Sequence, residues 1–454
     1  MLLTEYRLEL VTQALRSILP LAHPADALLR QFFQQERIGS NERALVAETV
    51  FGVLRHRLFL EHACAKQLPR DTSAASPTVC RSGEDAALPA PDAAQHRVKA
   101  ATPRRIALAY WIKFGGYNLR ELTPLLKRGE GEWLGQVKAI DIAELSLPIQ
   151  AELPEWLVEK LQSTMTDEAI LTLGRSMQQP AALDLRVNTL LAGRDEVLQS
   201  LQAEGMDAQA TPWSPIGIRL RGKPSLTRHP LFLTGKIEVQ DEGSQLLGFL
   251  LAPKRNDMVV DFCAGSGGKT LMLGAMMRSQ GRLYAFDISE KRLANLKPRL
   301  KRSGLSNLHP QLIAHENDNK IKRLAGKIDR VLVDSPCSGL GTLRRNPDIK
   351  FRQSPQSIIE LIHKQAAILS AASKLLKPGG RLVYATCSFL QEENRAIVDA
   401  FLESHSDFVL RPAGEILAQQ LIPLETGECL QLLPQLHGTD AFFAAVLERI
   451  LPRQ

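Results

Sequence analysis

"VVDFCAGSGGKTLMLG", residues 259–274, decides how this chain is read. Two valines lead to Asp261, three glycines fall within four positions, and an apolar run begins after Thr270. That is a strand, a glycine turn and a helix. Glycines at such a turn let a ligand approach the backbone and meet the amide groups at the helix N-terminus. Two ligand classes can be tested by spacing. A triphosphate loop needs G-x-x-x-x-G-K-[ST]. Counting back from Gly268-Lys269-Thr270 puts Cys263 where the first glycine belongs, so that reading fails at an essential position. A dehydrogenase fingerprint, G-x-G-x-x-G, fails as well, because Thr270 stands at its last glycine. What remains is a Rossmann-like loop with an acidic residue, Asp287, ending the next strand "RLYAFD" where ribose hydroxyls are bound.

Outward from this loop, strand-like runs alternate with helical ones: "MVVDFC", "RLYAFD", "HPQLIA", "DRVLVD" and "GRLVYATCS". This alternation predicts a doubly wound α/β sheet with parallel strands over 241–454. "DAFFAAVLERI" (440–450) reads as a late strand. Residues 151–240 mix both periods: "ALDLRVNTL" and "GIRLRG" read as strands, and "GRDEVLQSLQAEG" as a helix stopped by Gly205, which makes a small α+β unit. Residues 1–150 carry apolar positions at helical spacing, with Asn41 as N-cap of the third helix, and form an all-α domain. The stretch 68–104, rich in Ala, Pro, Ser and Asp and without period, reads as a disordered insertion in that domain.

Bulk composition narrows the classes. The 454 residues carry a net charge of +7, which points to a polyanionic partner, nucleic acid first. No run of 18 apolar residues occurs, so no membrane span is expected. The amphipathic N-terminus, with Glu5 and Glu9, lacks the pattern of a signal peptide. The six cysteines are scattered, without a CxxC pair, so neither a disulfide framework nor a zinc site is expected. A cytoplasmic, metal-free monomer fits these numbers.

Two of those cysteines stand in matching places. "VLVDSPCSGLG" ends a strand with Asp334 and then Cys337; "LVYATCS" ends another with Thr386 and then Cys387. Both follow the carboxyl ends of their strands, the edge on which the glycine loop opens and on which open α/β sheets bind ligands. One reaction needs such a set. C5 of a pyrimidine is a poor nucleophile, but a thiolate that adds to C6 makes it enamine-like, so that it takes a methyl group. An acid such as Asp334 stabilises charge on the base edge, and a base removes the C5 proton so that the thiol can leave. The target must be unstacked or flipped to expose C6.

These motifs resemble the Sun-like family of RNA cytosine-5 methyltransferases. The resemblance is carried by "DFCAGSGGKT", "FDISEKRLANLKPRLKRSG", "DRVLVDSPCSGLGTLRRNPD", "KPGGRLVYATCS" followed by "EEN", "DAFFAAVLERI" and, in the preceding domain, "LRVNTL". It implies an α/β, Rossmann-like methyltransferase fold using S-adenosyl-L-methionine, a small α+β RNA-binding domain before it, and a NusB-like helical RNA-binding domain at the N-terminus. It further implies that Cys387 is the nucleophile and that Cys337 assists product release. Cys263, Ala264, Gly265, Ser266, Gly267, Gly268 and Lys269 would wrap the methionine part of the cofactor. Asp287 would take the ribose, Asp334 would sit between cofactor and base, and Asp318, after the third strand, would lie near the adenine. Ala264-Gly265-Ser266-Gly267-Gly268-Lys269 departs from the family's Ala-Ala-Pro-Gly-Gly-Lys by the loss of proline. The implied substrate is RNA, ribosomal in the first instance; transfer RNA and a noncatalytic RNA-binding role are the alternatives.

Two basic clusters complete the reading. Lys291, Arg292, Lys297, Arg299, Lys301 and Arg302 lie on a predicted helix and read as a solvated face. Arg344, Arg345, Lys350 and Arg352 follow the first cysteine motif and read as phosphate contacts, and Arg186 as another residue facing RNA.

Overall fold

A computed structural model describes residues 2–65, 101–222 and 224–450. The chain divides into two compact units, one running to Gln178 and including Asn346–Arg352, the other Gln179–Arg345 with Gln353 onward.

The first unit is helical among its described residues. The helices Glu5–Ile18, Ala25–Gln35, Ser40–Arg55, Arg57–Ala65 and Pro103–Lys113 bury an apolar stripe each, with Leu8, Leu15, Leu54, Phe59, Trp111 and Trp133 in the core. The third helix begins one residue before Asn41. Gly39 supplies the extended cap, and the first-turn Glu42 pairs with Arg7 at 2.9 Å, so Asn41 is inside the helix and caps nothing. Of the expected insertion, 68–100 lies outside the described residues. Its last two positions belong to Pro103–Lys113, where Thr102 accepts from the Arg105 amide and Pro103 takes the first helical position.

A buried ion pair ties the short segment Asn346–Arg352 into this unit. Lys350 donates to the carbonyls of Arg55 (3.0 Å) and Glu152 (2.6 Å), and its ammonium lies 3.6 Å from the Glu152 carboxylate. That carboxylate also accepts from the amides of Leu58 and Phe59, both at 3.0 Å, in the first turn of Arg57–Ala65. Burial pushes Glu152 up to about 7 and Lys350 down to about 8, each toward its neutral form. Lys350 is therefore a buried structural residue, and the expected phosphate contact is corrected: its donors are spent on carbonyls inside the fold.

The second unit holds two sheets. The small one, β2-β3-β1-β4, is antiparallel and comprises β1 (Leu183–Val187), β2 (Ala208–Ala210), β3 (Gly217–Leu220) and β4 (Ile237–Val239). Gly205 follows the helix Arg194–Ala203 with positive φ, as expected of a stop. The large sheet has the order β10-β12-β9-β8-β5-β6-β7, with β11 paired to β12. Its strands are β5 (Met258–Asp261), β6 (Arg282–Asp287), β7 (Leu308–Leu312), β8 (Ile328–Asp334), β9 (Leu376–Thr386), β10 (Phe408–Arg411), β11 (Leu430–Leu432) and β12 (Phe442–Arg449). The five strands from β5 to β9 run parallel. β12 runs antiparallel to β9, β10 and β11, so the expected parallel sheet has an antiparallel edge. Both faces are covered, which is why the strands read as apolar runs: Val259 and Val260 point into two different cores.

Candidate active site at the carboxyl edge of the large sheet

The parallel strands β5, β6, β8 and β9 deliver Asp261, Asp287, Asp334 and Thr386 at their carboxyl ends. After β5 the chain turns into the helix Gly268–Met276, with Gly267 as its N-cap at φ 81°. A Cβ on Gly267 would lie 2.1 Å from Leu296, so both backbone and packing require glycine there. At Gly265 and Gly268 the space a Cβ would take is open, apart from the tip of Arg299 at 3.8 Å from Gly268. The loop borders a cavity of about 230 Å³, lined by Asp261, Cys263, Ala264, Gly265, Ser266, Gly268, Lys269 and Asp334, with Gln240 and Ser244.

Within this cavity the polar groups are unequal. Lys269 Nζ donates to Asp334 Oδ2 at 2.6 Å. Burial works against the Lys269 charge, but the Asp334 carboxylate outweighs it and holds the ammonium above its ordinary range. Asp261 is fully buried and accepts from Thr270 Oγ1 at 2.6 Å through Oδ2, while Oδ1 has no partner. Burial pushes Asp261 up to about 7. Burial also raises the Cys263 thiol, which packs against an apolar core and is no nucleophile.

Asp287 and Asp318 stand elsewhere. Asp287 Oδ2 accepts from the Gly265 amide at 2.8 Å and Oδ1 from Ser289 at 2.7 Å, so this carboxylate shapes the glycine loop and does not line the cavity. Asp318 is partly exposed; its oxygens accept from Ala314 and Lys320 and cap the turn Asn319–Lys322.

The arginines of the sequence reading also have different duties. Arg186 is buried, and its guanidinium donates to the Gly268 carbonyl and the Gln240 amide oxygen; burial depresses it to about 10. Arg299 donates to the Ser266 carbonyl at 2.6 Å and pairs with Glu238 at 2.9 Å. These two side chains clamp the glycine loop from behind, a role that charge patterning alone did not reveal. Arg345 bridges Asp440 (2.6 Å) and Asp241 (2.8 Å) and donates to Ala182 O, and Arg344 donates to Gly438 O and Thr439 O. The expected phosphate contacts at Arg344 and Arg345 are corrected: internal acceptors take their donors.

At the ends of β8 and β9 the two cysteine sulfurs, Cys337 and Cys387, lie 3.3 Å apart. β8 and β9 are adjacent in register, Asp334 opposite Ala385, so each chain leaves the sheet beside the other. Gly341 closes the arrangement. Its amide donates to Cys387 O at 2.9 Å, and a Cβ there would meet Ala441 O at 2.3 Å. The hydrogen bond with Cys387 first, and burial second, hold the Cys337 thiol well above its ordinary range. Asp334 ends β8 three residues before Cys337, which joins the sulfur pair to the cavity.

The model of the 16S rRNA methyltransferase RsmB/F family matches residues 248–448, and that of the ferredoxin-like domain of this family matches 153–227. A relative in Synechocystis sp., a probable ribosomal RNA small subunit methyltransferase B, is 32% identical over 93% of this chain and 95% of its own. The chain belongs to the RsmB/F family of rRNA methyltransferases. A ribosomal RNA small subunit methyltransferase B of Klebsiella pneumoniae is 31% identical over 91% of both chains. A solved methyltransferase homologue from Pyrococcus horikoshii superposes with a TM-score of 0.58 at 28% identity, covering 68% of this chain and all of that one. The family is one of enzymes, RNA cytosine-5 methyltransferases, and its Rossmann-like fold is that of the S-adenosylmethionine-dependent class. Among the described residues no helix is long and apolar enough to cross a membrane, and no cluster of His, Cys, Asp and Glu could hold a metal.

The cavity fits that cofactor. The unpartnered Asp261 Oδ1 is an acceptor for an ammonium such as that of a methionine. The open backbone at Gly265 and Gly268 admits a ligand that any side chain would exclude.

Proposed function

We propose that this chain methylates C5 of a cytosine in small-subunit ribosomal RNA through a covalent bond between Cys387 and C6. The observation that carries the reading is the 3.3 Å contact between Cys337 and Cys387 at the edge where Asp334 meets the glycine cavity. A lone cysteine would suit a packed thiol; two in contact suit a nucleophile and its partner.

Asp261, Gly265, Ser266, Gly268 and Lys269 would hold S-adenosylmethionine, which supplies the methyl group as an electrophile. Asp287 would reach the ribose by way of the loop it shapes, and Asp318 would stand near the adenine. Cys387 adds to C6, and the electrons of the C5–C6 double bond become available at C5. Asp334, fixed by Lys269, faces the base edge. After methylation the C5 proton passes to a base, the double bond re-forms, and Cys387 leaves as a thiolate. The Cys337 S–H donates to that departing sulfur. The helical unit, NusB-like in the sequence reading, and the small sheet are read as RNA-binding parts of a cytoplasmic monomer.

The test is transfer from labelled S-adenosylmethionine to small-subunit ribosomal RNA, followed by bisulfite mapping. One protected cytosine is expected. Label on another base, or on transfer RNA alone, sinks the reading.

A further inference from the structure

The triplet "EEN" (392–394) follows the second cysteine motif, and the chemistry above does not use it. In the fold, Glu393 is fully buried in the turn Gln391–Glu393. Among the described residues no cation pairs with it. Its carboxylate accepts instead from the Ser338 amide (2.8 Å), the Ser338 hydroxyl (2.5 Å), the Ser388 hydroxyl (2.6 Å) and Gln365 Nε2 (2.9 Å). An ionised carboxylate offers about four acceptor positions, so these donors fill it.

The placement of the donors is specific. Ser338 directly follows Cys337, and Ser388 directly follows Cys387. The residues before the cysteines are tied as well: Gln365 donates to Pro336 O at 3.1 Å, and Thr386 Oγ1 donates to Asn394. Asn394 in turn donates to Ser388 O at 3.0 Å, and Tyr384 donates to Glu393 O at 2.6 Å. Both flanks of both cysteines are thus anchored to Glu393 or to a residue that it or its neighbour holds.

We propose that Glu393 is a positioning residue for the cysteine pair: one carboxylate joins the residues that follow the two sulfurs and so sets their contact. The purpose of that contact rests on the catalytic reading above. Glutamine would be a poor replacement: with its oxygen kept toward the Ser338 and Gln365 N–H groups, its NH2 would face the Ser338 and Ser388 hydroxyls, which donate here and would have to turn to accept. After the contact with Cys387 and burial, the charge of Glu393 also raises the Cys337 thiol.

The experiment is disulfide trapping with diamide, which takes two electrons and two protons from the thiol pair and becomes the hydrazine. In Glu393→Gln, the Cys337–Cys387 disulfide should form at least tenfold more slowly, while the affinity for S-adenosylmethionine stays within twofold. The kcat of methylation should fall at least tenfold with KM for RNA within twofold, and Cys337 alkylation should shift to lower pH. Should that variant fail to fold, Ser388→Ala keeps the carboxylate and removes one tie, and should slow trapping about threefold. Trapping at the parent rate in the folded variants overturns the proposal. Slowed trapping combined with full methylation by Cys387→Ser supports the positioning role and overturns the catalytic reading instead.

Discussion

Lys269 Nζ lies 2.6 Å from Asp334 Oδ2, which joins the helix after β5 to the end of β8 across the cavity floor. Asp334 is thereby oriented by a cation and Lys269 is neutralised, so the cavity does not oppose a positively charged sulfonium ligand.

Lys269→Met should weaken S-adenosylmethionine binding and lower kcat/KM at least tenfold. The pair is only partly exposed, with side-chain exposures of 16% and 28%, so a coupling of about 1–3 kcal/mol is expected. A double-mutant cycle with Asp334→Asn, read by calorimetric binding of the cofactor, measures it. Additive effects of the two substitutions would remove the pair from the binding site.

Asp261 gives a pH dependence with a defined sign. Burial raises it to about 7 in the fold against an ordinary value of 3.8, so the folded chain binds more protons than the unfolded chain between those values. Its contribution therefore lowers stability as pH rises through that window, by an amount on the order of 4 kcal/mol at full ionisation. A ligand ammonium on Oδ1 favours the charged form, so cofactor affinity should increase between pH 5.5 and 7.5. Asp261→Asn should flatten both profiles, raise the melting temperature above pH 7 and weaken binding. A wild-type pH profile of binding in that variant would rule out an ammonium contact there.

The two cysteines should fail differently. Cys387→Ser should lose methylation and form no covalent RNA complex, because a hydroxyl is a far weaker nucleophile than a thiolate. Cys337→Ala should accumulate a covalent complex visible on a denaturing gel, because a departing Cys387 thiolate loses its S–H donor. Equal residual activity in both variants, with no adduct in either, would contradict the division of roles.

Arg345 and Lys350 should behave as structural residues. Arg345 holds two buried carboxylates, and burial first, then Asp241, push Asp440 up to about 7. Arg345→Gln should lower stability by about 3 kcal/mol, and Lys350→Met, which leaves Glu152 without its cation, by a similar amount. Denaturant unfolding measures both. A loss of RNA affinity with unchanged stability would restore the phosphate-contact reading of this cluster.

The sequence by itself determined the class of fold and pointed to the strand ends where the candidate site lies. Alternation of apolar strands and helices marks the sheet because parallel strands covered on both faces must be apolar throughout, and the failed glycine at Cys263 removed a triphosphate ligand. Cys337 and Cys387 were visible because each closes a strand motif. β12 was legible as a strand but its antiparallel direction was not, because direction is set by the connection and not by local period, and the short strands β2, β4, β10 and β11, of three or four residues, carry too little period. What only the tertiary structure decided is where each charge is spent. Arg186, Arg299 and Arg345 look identical to surface arginines in a linear chain, yet carbonyls and carboxylates distant in sequence take their donors. The same holds for Asp287, committed to the Gly265 amide, and for Glu393, whose four donors come from three separate segments. A side chain's partner is fixed by packing across the sheet edge, and packing of that kind has no signature in local sequence.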